Sequence, residues 1–87
     1  MKDAKDNEGH SIKILGRAGM IYQDRKKKYF IDCEMLVGPT YDLVVYANSV
    51  RHYKEGDEPL PDIKKQEILG IVAKLLISAK IRAEFQP

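Results

Sequence analysis

Two strand-like runs around a Gly-Pro turn decide the fold, and both lie within YFIDCEMLVGPTYDLVVYANSV, residues 29–50. Aromatic and β-branched side chains, which suit a pleated and half-buried surface, dominate the runs on either side of Gly38-Pro39-Thr40. In the first run, the alternation of side chains places Asp32 and Glu34 on one face of the strand. In the second run, the middle residues Leu43–Val45 are apolar on both faces, which is typical of a central strand. The stretch therefore predicts a hairpin whose first strand carries two carboxylates on one face.

Two shorter strands are predicted before this hairpin. Ile12 and Ile14 alternate with polar neighbours, and a second apolar run begins at Met20. Between them, Gly16–Gly19 interrupts the pattern as a turn does. This turn leads into another strand pattern, whereas a phosphate-binding loop leads into a helix. The segment therefore predicts two strands joined by a turn.

One helical segment follows the strands. Pro61 suits the first position of a helix, and Asp62 complements the positive end of the helix macrodipole. An apolar stripe at helical spacing predicts that one side of this helix packs on the sheet. The stripe consists of Lys64, Ile68, Leu69, Ile71, Val72, Leu75, Leu76 and Ala79. Ile77 points nearly opposite to the stripe, and the alternation over Ile81–Phe85 predicts a final strand.

Together these segments predict an α+β fold. It has a mainly antiparallel sheet of about five strands, one long helix in the C-terminal half packed on one face, and a final strand after the helix. If the last strand shares a sheet with a strand before the helix, the crossover rule predicts that the two are parallel. Residues 1–10 hold five charged side chains and little apolar surface, so we expect a flexible tail there. Residues 11–87 then form a single domain.

Length and composition narrow the class of function. A chain of 87 residues has a small core, so a protein interface of about 800 Å² per partner is easier to accommodate than a ligand pocket of about 300 Å³. The balance of 15 basic and 13 acidic residues gives a formal charge of +2, well short of the strongly basic proteins that bind nucleic acid. A single cysteine and the lack of a long apolar run predict a cytoplasmic protein without disulfide or membrane contact.

Side chains with catalytic or metal-binding chemistry are isolated along the chain. His10 and His52 have no histidine or cysteine at a ligand spacing, so no metal site is predicted. Cys33 alternates with apolar neighbours, as a buried structural thiol does. Asp32 and Glu34 lie about 7 Å apart along one strand, whereas carboxylate catalysis needs two acids that face each other across a substrate. We therefore predict no catalytic residues, no cofactor and no enzymatic activity.

Two alternative functions would use other surfaces. A basic turn flanked by Tyr22 and Tyr29 combines cations with aromatic rings, as nucleic-acid-binding modules do. Its cations are Arg25, Lys26, Lys27 and Lys28. The simpler interpretation of this turn is a solvated hairpin tip whose charges keep a sheet edge from aggregating. An exposed sheet edge or Ile77 would instead support a homodimer or another homo-oligomeric accessory protein.

Several segments in a fixed order carry a family resemblance. They are Gly16–Tyr22, Tyr29–Glu34, Gly38-Pro39 before Tyr41–Tyr46, and Asn48–Val50, followed by a polar loop and a helix-strand ending. In this pattern and order, nearly the whole chain after residue 11 resembles the immunity protein 74 family of bacterial polymorphic toxin systems. The resemblance implies a small cytoplasmic α+β protein that binds and neutralises a cognate toxin domain without catalysis.

The resemblance indicates no particular contact residues, because immunity proteins vary most where they touch the toxin. Charge and shape predict a contact surface formed by Asp32, Glu34 and Asp42, with Tyr46 near them. Charged groups beside an aromatic residue steer the encounter between proteins and then supply buried area. This prediction requires that the residues share the sheet face that the helix leaves uncovered.

Overall fold

The computed structural model describes residues 3–15, 19–54 and 58–87, most of which lie in strands and one long helix. In chain order the elements are β1 (Asp3–Lys5), β2 (His10–Ile14), β3 (Met20–Asp24), β4 (Lys27–Ile31), β5 (Cys33–Met35), β6 (Leu43–Tyr46), β7 (Arg51–His52), α1 (Asp62–Ser78) and β8 (Ala83–Gln86). A short 3-10 helix, Ala47–Ser49, connects β6 to β7. The predicted α+β class is confirmed. Of the predicted turn at Gly16–Gly19, all but Gly19 lies outside the described residues.

Five of the strands form an antiparallel sheet in the order β1-β2-β3-β4-β7, which we call the large sheet. Its first four strands are neighbours in sequence, so short connections set the register. Ile12 lies opposite Tyr22, and Tyr22 lies opposite Tyr29. All three are buried, whereas Lys13 is exposed. One face of the large sheet therefore lies on the core, and the predicted antiparallel sheet is confirmed.

The remaining strands form a three-stranded sheet, the small sheet, with β6 between β5 and β8. β5 and β6 are antiparallel and flank Gly38-Pro39-Thr40, so the predicted hairpin is confirmed. β8 pairs with β6 in parallel, as the crossover rule predicted. Leu43, Val44 and Val45 are all buried, which confirms β6 as a central strand. The sequence did not predict that the hairpin and the last strand form a sheet of their own.

The chain leaves the large sheet and enters the small sheet at Asp32. The Asp32 N–H donates to Ser49 Oγ at 2.8 Å, and the Asp32 carbonyl oxygen accepts from the Tyr46 N–H at 3.0 Å. The first of these bonds comes from a side chain of the 3-10 helix, so it interrupts the single strand that the sequence predicted from Tyr29 onward. The alternation continues through the interruption, because the buried face of β4 extends to Cys33 in β5.

Helix α1 lays one apolar side on the sheets. The chain enters it from Pro61, whose φ is −62°, and Asp62 lies in the first turn, where its charge complements the macrodipole. The buried residues of the helix are Ile68, Val72, Leu75 and Leu76. Ile77 is 74% exposed, in agreement with its predicted position opposite the apolar stripe.

The C-terminal end of α1 turns the chain toward β8. Lys80 has a left-handed backbone with a φ of 61°. The Lys80 N–H donates to the Ile77 carbonyl oxygen at 3.0 Å, and the Ile81 N–H donates to the Leu76 carbonyl oxygen at 2.9 Å. This pair of bonds is a Schellman motif, and the buried side chain of Ile81 provides the apolar contact that often accompanies it.

Both sheets and the helix contribute to one apolar core. Its buried members include Ile12, Tyr22 and Ile31 from the large sheet, Cys33, Leu43 and Val45 from the small sheet, and Ile68 and Val72 from α1. Val44 is also buried but lies outside this cluster. The small sheet is therefore covered by the core on one face only, and Val44 lies on the other.

The N-terminal segment differs from its prediction. Within residues 1–10, for which we expected a flexible tail, Asp3–Lys5 form strand β1, and β1 pairs with β2. Ala4 packs against the core. In the turn that follows, Asp6 Oδ1 accepts from the N–H groups of Glu8 and His10 at 2.8 and 3.0 Å. The prediction is corrected for residues 3–10, because backbone pairing with β2 and a carboxylate-stabilised turn order a segment that buries little apolar surface.

Candidate functional site

The small sheet has one face turned away from the core. Strand pairing places Glu34, Val44 and Glu84 in one row across β5, β6 and β8. The next row points the opposite way, and its members Cys33 and Val45 belong to the core. We call the outward side the acidic face and define it by Glu34, Asp42, Val44, Tyr46 and Glu84. It includes three of the four predicted contact residues.

Glu34 and Tyr46 interact on this face. Partial burial raises the pKa of the Tyr46 hydroxyl, and the charge of Glu34 together with a hydrogen bond from the hydroxyl to its carboxylate raises this pKa further. The two side chains are therefore neighbours on the acidic face, with the Tyr46 hydroxyl as the donor to Glu34. The exposed Glu34 carboxylate is thus held beside an aromatic ring, as the sequence predicted for a contact surface.

Asp42 already has a partner within the chain. Its Oδ1 lies 3.0 Å from Arg82 Nη2, and its Oδ2 accepts from the Arg82 N–H at 3.0 Å. Hydrogen bonding to Asp42 and the charge of its carboxylate raise the pKa of Arg82. Arg82 Nη1 also donates to the Pro39 carbonyl oxygen at 2.6 Å. Asp42 therefore ties the residue before β8 to the β5–β6 loop.

Asp32 lies at the junction of the two sheets and bonds to the large sheet. Its Oδ1 accepts from Arg51 Nη2 at 3.1 Å, and its Oδ2 accepts from Arg51 Nη1 at 3.3 Å. The Arg51 guanidinium also lies over the Phe30 ring, 4.8 Å from its centroid. The predicted carboxylate pair is thus divided, since Asp32 binds Arg51 whereas Glu34 accepts from Tyr46.

Exposed apolar side chains adjoin the acidic face at one end, in the β5–β6 loop. The β5–β6 loop presents Leu36, Val37 and Tyr41, and Val37 is fully exposed. Met35 and Phe85 are also exposed, but strand register places them in the rows of Leu43 and Val45, on the core side of the small sheet. We call the three loop residues Leu36, Val37 and Tyr41 the apolar rim. Sequence reasoning missed the rim, although the apolar pair directly before the Gly-Pro turn was a signal for it.

The basic turn between β3 and β4 lines a cleft together with the end of β7, which we call the lysine cleft. Its lining residues are Lys26, Lys27, Lys28, His52, Tyr53 and Lys54. The pairing of Tyr29 with His52 and a 3.1 Å bond from the Tyr53 N–H to the Lys28 carbonyl oxygen bring the two segments together. Arg25, which the sequence grouped with these lysines, does not line the cleft. Its φ is 57° and its side chain lies against Gly9 in the β1–β2 turn.

Cysteine and histidine side chains lie in structural positions. Burial raises the pKa of Cys33 to about 11, with smaller contributions from the charges of Asp32 and Glu34. His10 Nδ1 lies 2.8 Å from Asp6 Oδ2, while its Nε2 lies 3.6 Å from an oxygen of Asp24. Among residues 3–15, 19–54 and 58–87, no group of three His, Cys, Asp or Glu side chains could hold a metal ion.

In the part of the chain that the structure describes, no helix has the length and apolar character needed to cross a membrane. Comparison with known proteins gave no match to a family model, a curated protein or a solved structure. The candidate site is therefore defined by geometry alone, as two surfaces: the acidic face with its apolar rim, and the lysine cleft.

Proposed function

We propose that this chain is a cytoplasmic immunity protein that binds a cognate bacterial toxin domain through the acidic face and neutralises it without catalysis. The resemblance of its segments to the immunity protein 74 family supports a toxin as the partner. One observation carries the choice of surface: the face of the small sheet opposite the core combines carboxylates and an aromatic side chain, and it adjoins the exposed apolar residues of the β5–β6 loop. Apolar and aromatic contacts surrounded by polar groups are typical of protein interfaces.

The size of the small sheet defines how far the interface extends. Three strands of about four residues span roughly 10 Å by 13 Å, far less than the 800 Å² or so that each partner buries in an ordinary interface. The β5–β6 loop must therefore take part. Its exposed Val37 and Tyr41 supply apolar area next to the carboxylates. An interface of about 800 Å² would occupy roughly 13% of the 6090 Å² accessible surface of the protein.

The carboxylates of this region have different roles in the proposal. Asp42 and Asp32 are bound to arginines, so they position β8 and the sheet junction. Glu34 accepts from Tyr46, and Glu84 accepts from the side chain of Gln86 at 3.3 Å. Neither Glu34 nor Glu84 forms an ion pair among the described residues. Their negative charge is therefore available to a basic surface of the toxin, where charge complementarity speeds association.

The proposal predicts that a toxin domain is encoded beside the gene for this chain, and the test measures binding of that domain by calorimetry. The double variant Glu34→Lys/Glu84→Lys reverses both charges of the acidic face. We expect it to weaken binding by at least about tenfold, because like charges then meet across the interface. The matched control, Glu8→Lys/Glu58→Lys, makes the same change of net charge at exposed positions in the β1–β2 turn and before α1. We expect this control to bind within about twofold of the wild type, since charges far from an interface are largely screened.

Two outcomes would overturn the proposal. Unchanged affinity of a folded Glu34→Lys/Glu84→Lys variant would exclude the acidic face as the contact surface. Equal losses of affinity in both double variants would show that net charge, and not this face, controls binding.

Light scattering over a range of concentrations separately tests whether the chain forms a homo-oligomer. A mass that rises with concentration and is restored to that of a monomer by Ile77→Glu would favour self-association.

A further inference from the structure

The lysine cleft concentrates positive charge at one end of the large sheet. Lys26, Lys27, Lys28 and Lys54 line it, and none of them forms an ion pair among the described residues. Two arginines elsewhere are paired, since Arg51 binds Asp32 and Arg82 binds Asp42. The charges of the cleft are therefore available to an anion that binds from solution.

An aromatic ring is held at the wall of this cleft. Tyr53 is 48% exposed, and its ring stacks on Phe30 with centroids 6.4 Å apart. Phe30 in turn lies under the Arg51 guanidinium. The Tyr53 ring is thus fixed within a stack of side chains while half of its surface remains open. A fixed, half-exposed aromatic ring beside lysines is the arrangement on which unpaired bases stack.

The basic surface continues beyond the cleft. Lys28 also lines a groove on the outward face of the large sheet, together with Lys5 and Lys13. Of the described residues that line this groove one is acidic, Asp3, which lies opposite Lys13. Because Lys28 belongs to both the cleft and the groove, the two form a continuous basic track. A track of this kind suits a linear polyanion better than a single phosphate.

We infer that the lysine cleft and the adjoining groove bind single-stranded nucleic acid, with a base stacked on Tyr53 and phosphates on the lysines. The cleft, at about 330 Å³, is at the small end of ligand sites, so it admits one or two nucleotides and excludes a duplex. Paired bases are also stacked inside a duplex, where Tyr53 cannot reach them. This site lies apart from the acidic face and goes beyond the proposed toxin binding.

The experiment measures fluorescence anisotropy of a labelled dT12 oligonucleotide with the full chain between 50 and 200 mM salt. Four to six phosphate contacts on a single strand predict a slope of log affinity against log salt of about −3 to −4. Affinity should therefore fall roughly 50- to 300-fold over this range. Tyr53→Leu should lower affinity by at least about fivefold at constant salt, since it removes the stacking surface.

Matched lysine variants locate the contacts. Lys27→Gln/Lys54→Gln in the cleft and Lys5→Gln/Lys13→Gln in the groove should each reduce the steepness of the salt slope by about 1.4. The control Lys74→Gln/Lys80→Gln removes two exposed lysines from α1 and the turn after it, and should leave the slope unchanged. Circular dichroism verifies that each variant is folded.

Several results would overturn the inference. The inference fails if dT12 does not bind at 50 mM salt, or if a duplex binds as tightly as the single strand. It also fails if the cleft and control variants lose affinity equally, or if the groove variant has no effect. Heparin that binds as tightly as dT12, with no effect of Tyr53→Leu on either ligand, would show general polyanion binding and no recognition of bases.

Discussion

The two sheets of this protein are assembled in different ways. The first four strands of the large sheet follow one another along the chain, so each pairs with its neighbour across a short connection. The small sheet combines a hairpin with a strand that arrives only after the helix, and its parallel pair joins Leu43 to Ala83. Loop-closure entropy makes such distant pairing more costly than local pairing. The small sheet therefore depends on the rest of the fold, whereas the large sheet is specified mostly by local sequence.

The outward faces of the two sheets also differ in charge. Lys5, Lys13 and Lys28 lie along the large sheet, whereas Glu34 and Glu84 lie on the small sheet. A formal net charge of +2 conceals this separation. The small net charge argued against nucleic-acid binding, but the local distribution of charge determines where an anion or a basic protein binds. Toxin binding is proposed for the acidic face of the small sheet, and nucleic-acid binding for the basic surface of the large sheet.

The largest expected effect tests how strongly the small sheet contributes to global stability. Leu43 is fully buried at the centre of the small sheet. Leu43→Ala should lower the free energy of unfolding by about 2–5 kcal/mol, because it removes buried methyl groups and leaves a cavity. That is a large part of the 4–13 kcal/mol or so expected for a domain of this length. Urea denaturation measures the change, and Ile63→Ala, at a position 78% exposed in α1, should stay within about 0.5 kcal/mol of the wild type.

The rate at which a reagent labels the single thiol, Cys33, tests whether the two sheets unfold together. Cys33 lies in β5, and its raised pKa of about 11 leaves little reactive thiolate at pH 8 in the folded state. If both sheets unfold in one step, Leu43→Ala should accelerate thiol labelling by the factor that corresponds to its loss of global stability. Labelling that is much faster than global unfolding permits would show that the small sheet opens alone, and would contradict a single cooperative unit.

A smaller loss of stability is expected from a substitution in the connection between β2 and β3 of the large sheet. Gly19 has a φ of +117°, and a Cβ placed on it would lie 2.7 Å from the Ile31 carbonyl oxygen in β4. Gly19→Ala should therefore destabilise the protein by about 1–3 kcal/mol through backbone strain and this clash. Gly70→Ala is the matched control, since a Cβ there meets nothing within 4 Å and lies in the middle of α1. It should stabilise the protein by about 0.5–1 kcal/mol. A neutral Gly19→Ala variant would contradict the close approach of the β2–β3 connection to β4.

Periodicity predicted the elements with strong local patterns. The alternation of Ile12 and Ile14, the apolar centre of β6 and the stripe of α1 all appear as expected. The break at Asp32 could not be predicted, because the hydroxyl that holds it belongs to Ser49, seventeen residues away. β1 was missed for a similar reason. Its three residues include only the small apolar Ala4, and the partner strand β2 determines its pairing.

In the candidate site, too, local alternation was predictable from the sequence, whereas contacts that depend on strand pairing were not. Alternation along the chain placed Glu34 on one face, and strand register then brought Tyr46 beside it. The basic turn was visible in the sequence, but Tyr53 and Lys54 join it only through the pairing of β4 with β7. That pairing rests on a two-residue strand, too short to leave a periodic signal.

The smallest expected effect concerns the ion pair that joins the two sheets. Asp32, at the entrance to the small sheet, binds Arg51 of the large sheet through two N–H groups, and both side chains are about half exposed. Exposed pairs contribute about 0.2–1 kcal/mol, and two parallel bonds place this one near the upper limit.

A double-mutant cycle with Asp32→Asn and Arg51→Gln isolates this coupling from other effects of each substitution. We expect a coupling energy of about 0.5–1 kcal/mol in urea denaturation at low salt, falling as salt is added. The cycle Lys64→Gln and Glu67→Gln is the matched control, because that pair on α1 is separated by 3.9 Å and lies within one element. A coupling between Asp32 and Arg51 no larger than that of the control would mean that the apolar core and the backbone hydrogen bonds of Asp32 hold the sheets together without help from this ion pair. In that case the Asp32 side chain would be available to a partner, and Arg51 would remain in place through its contact with Phe30.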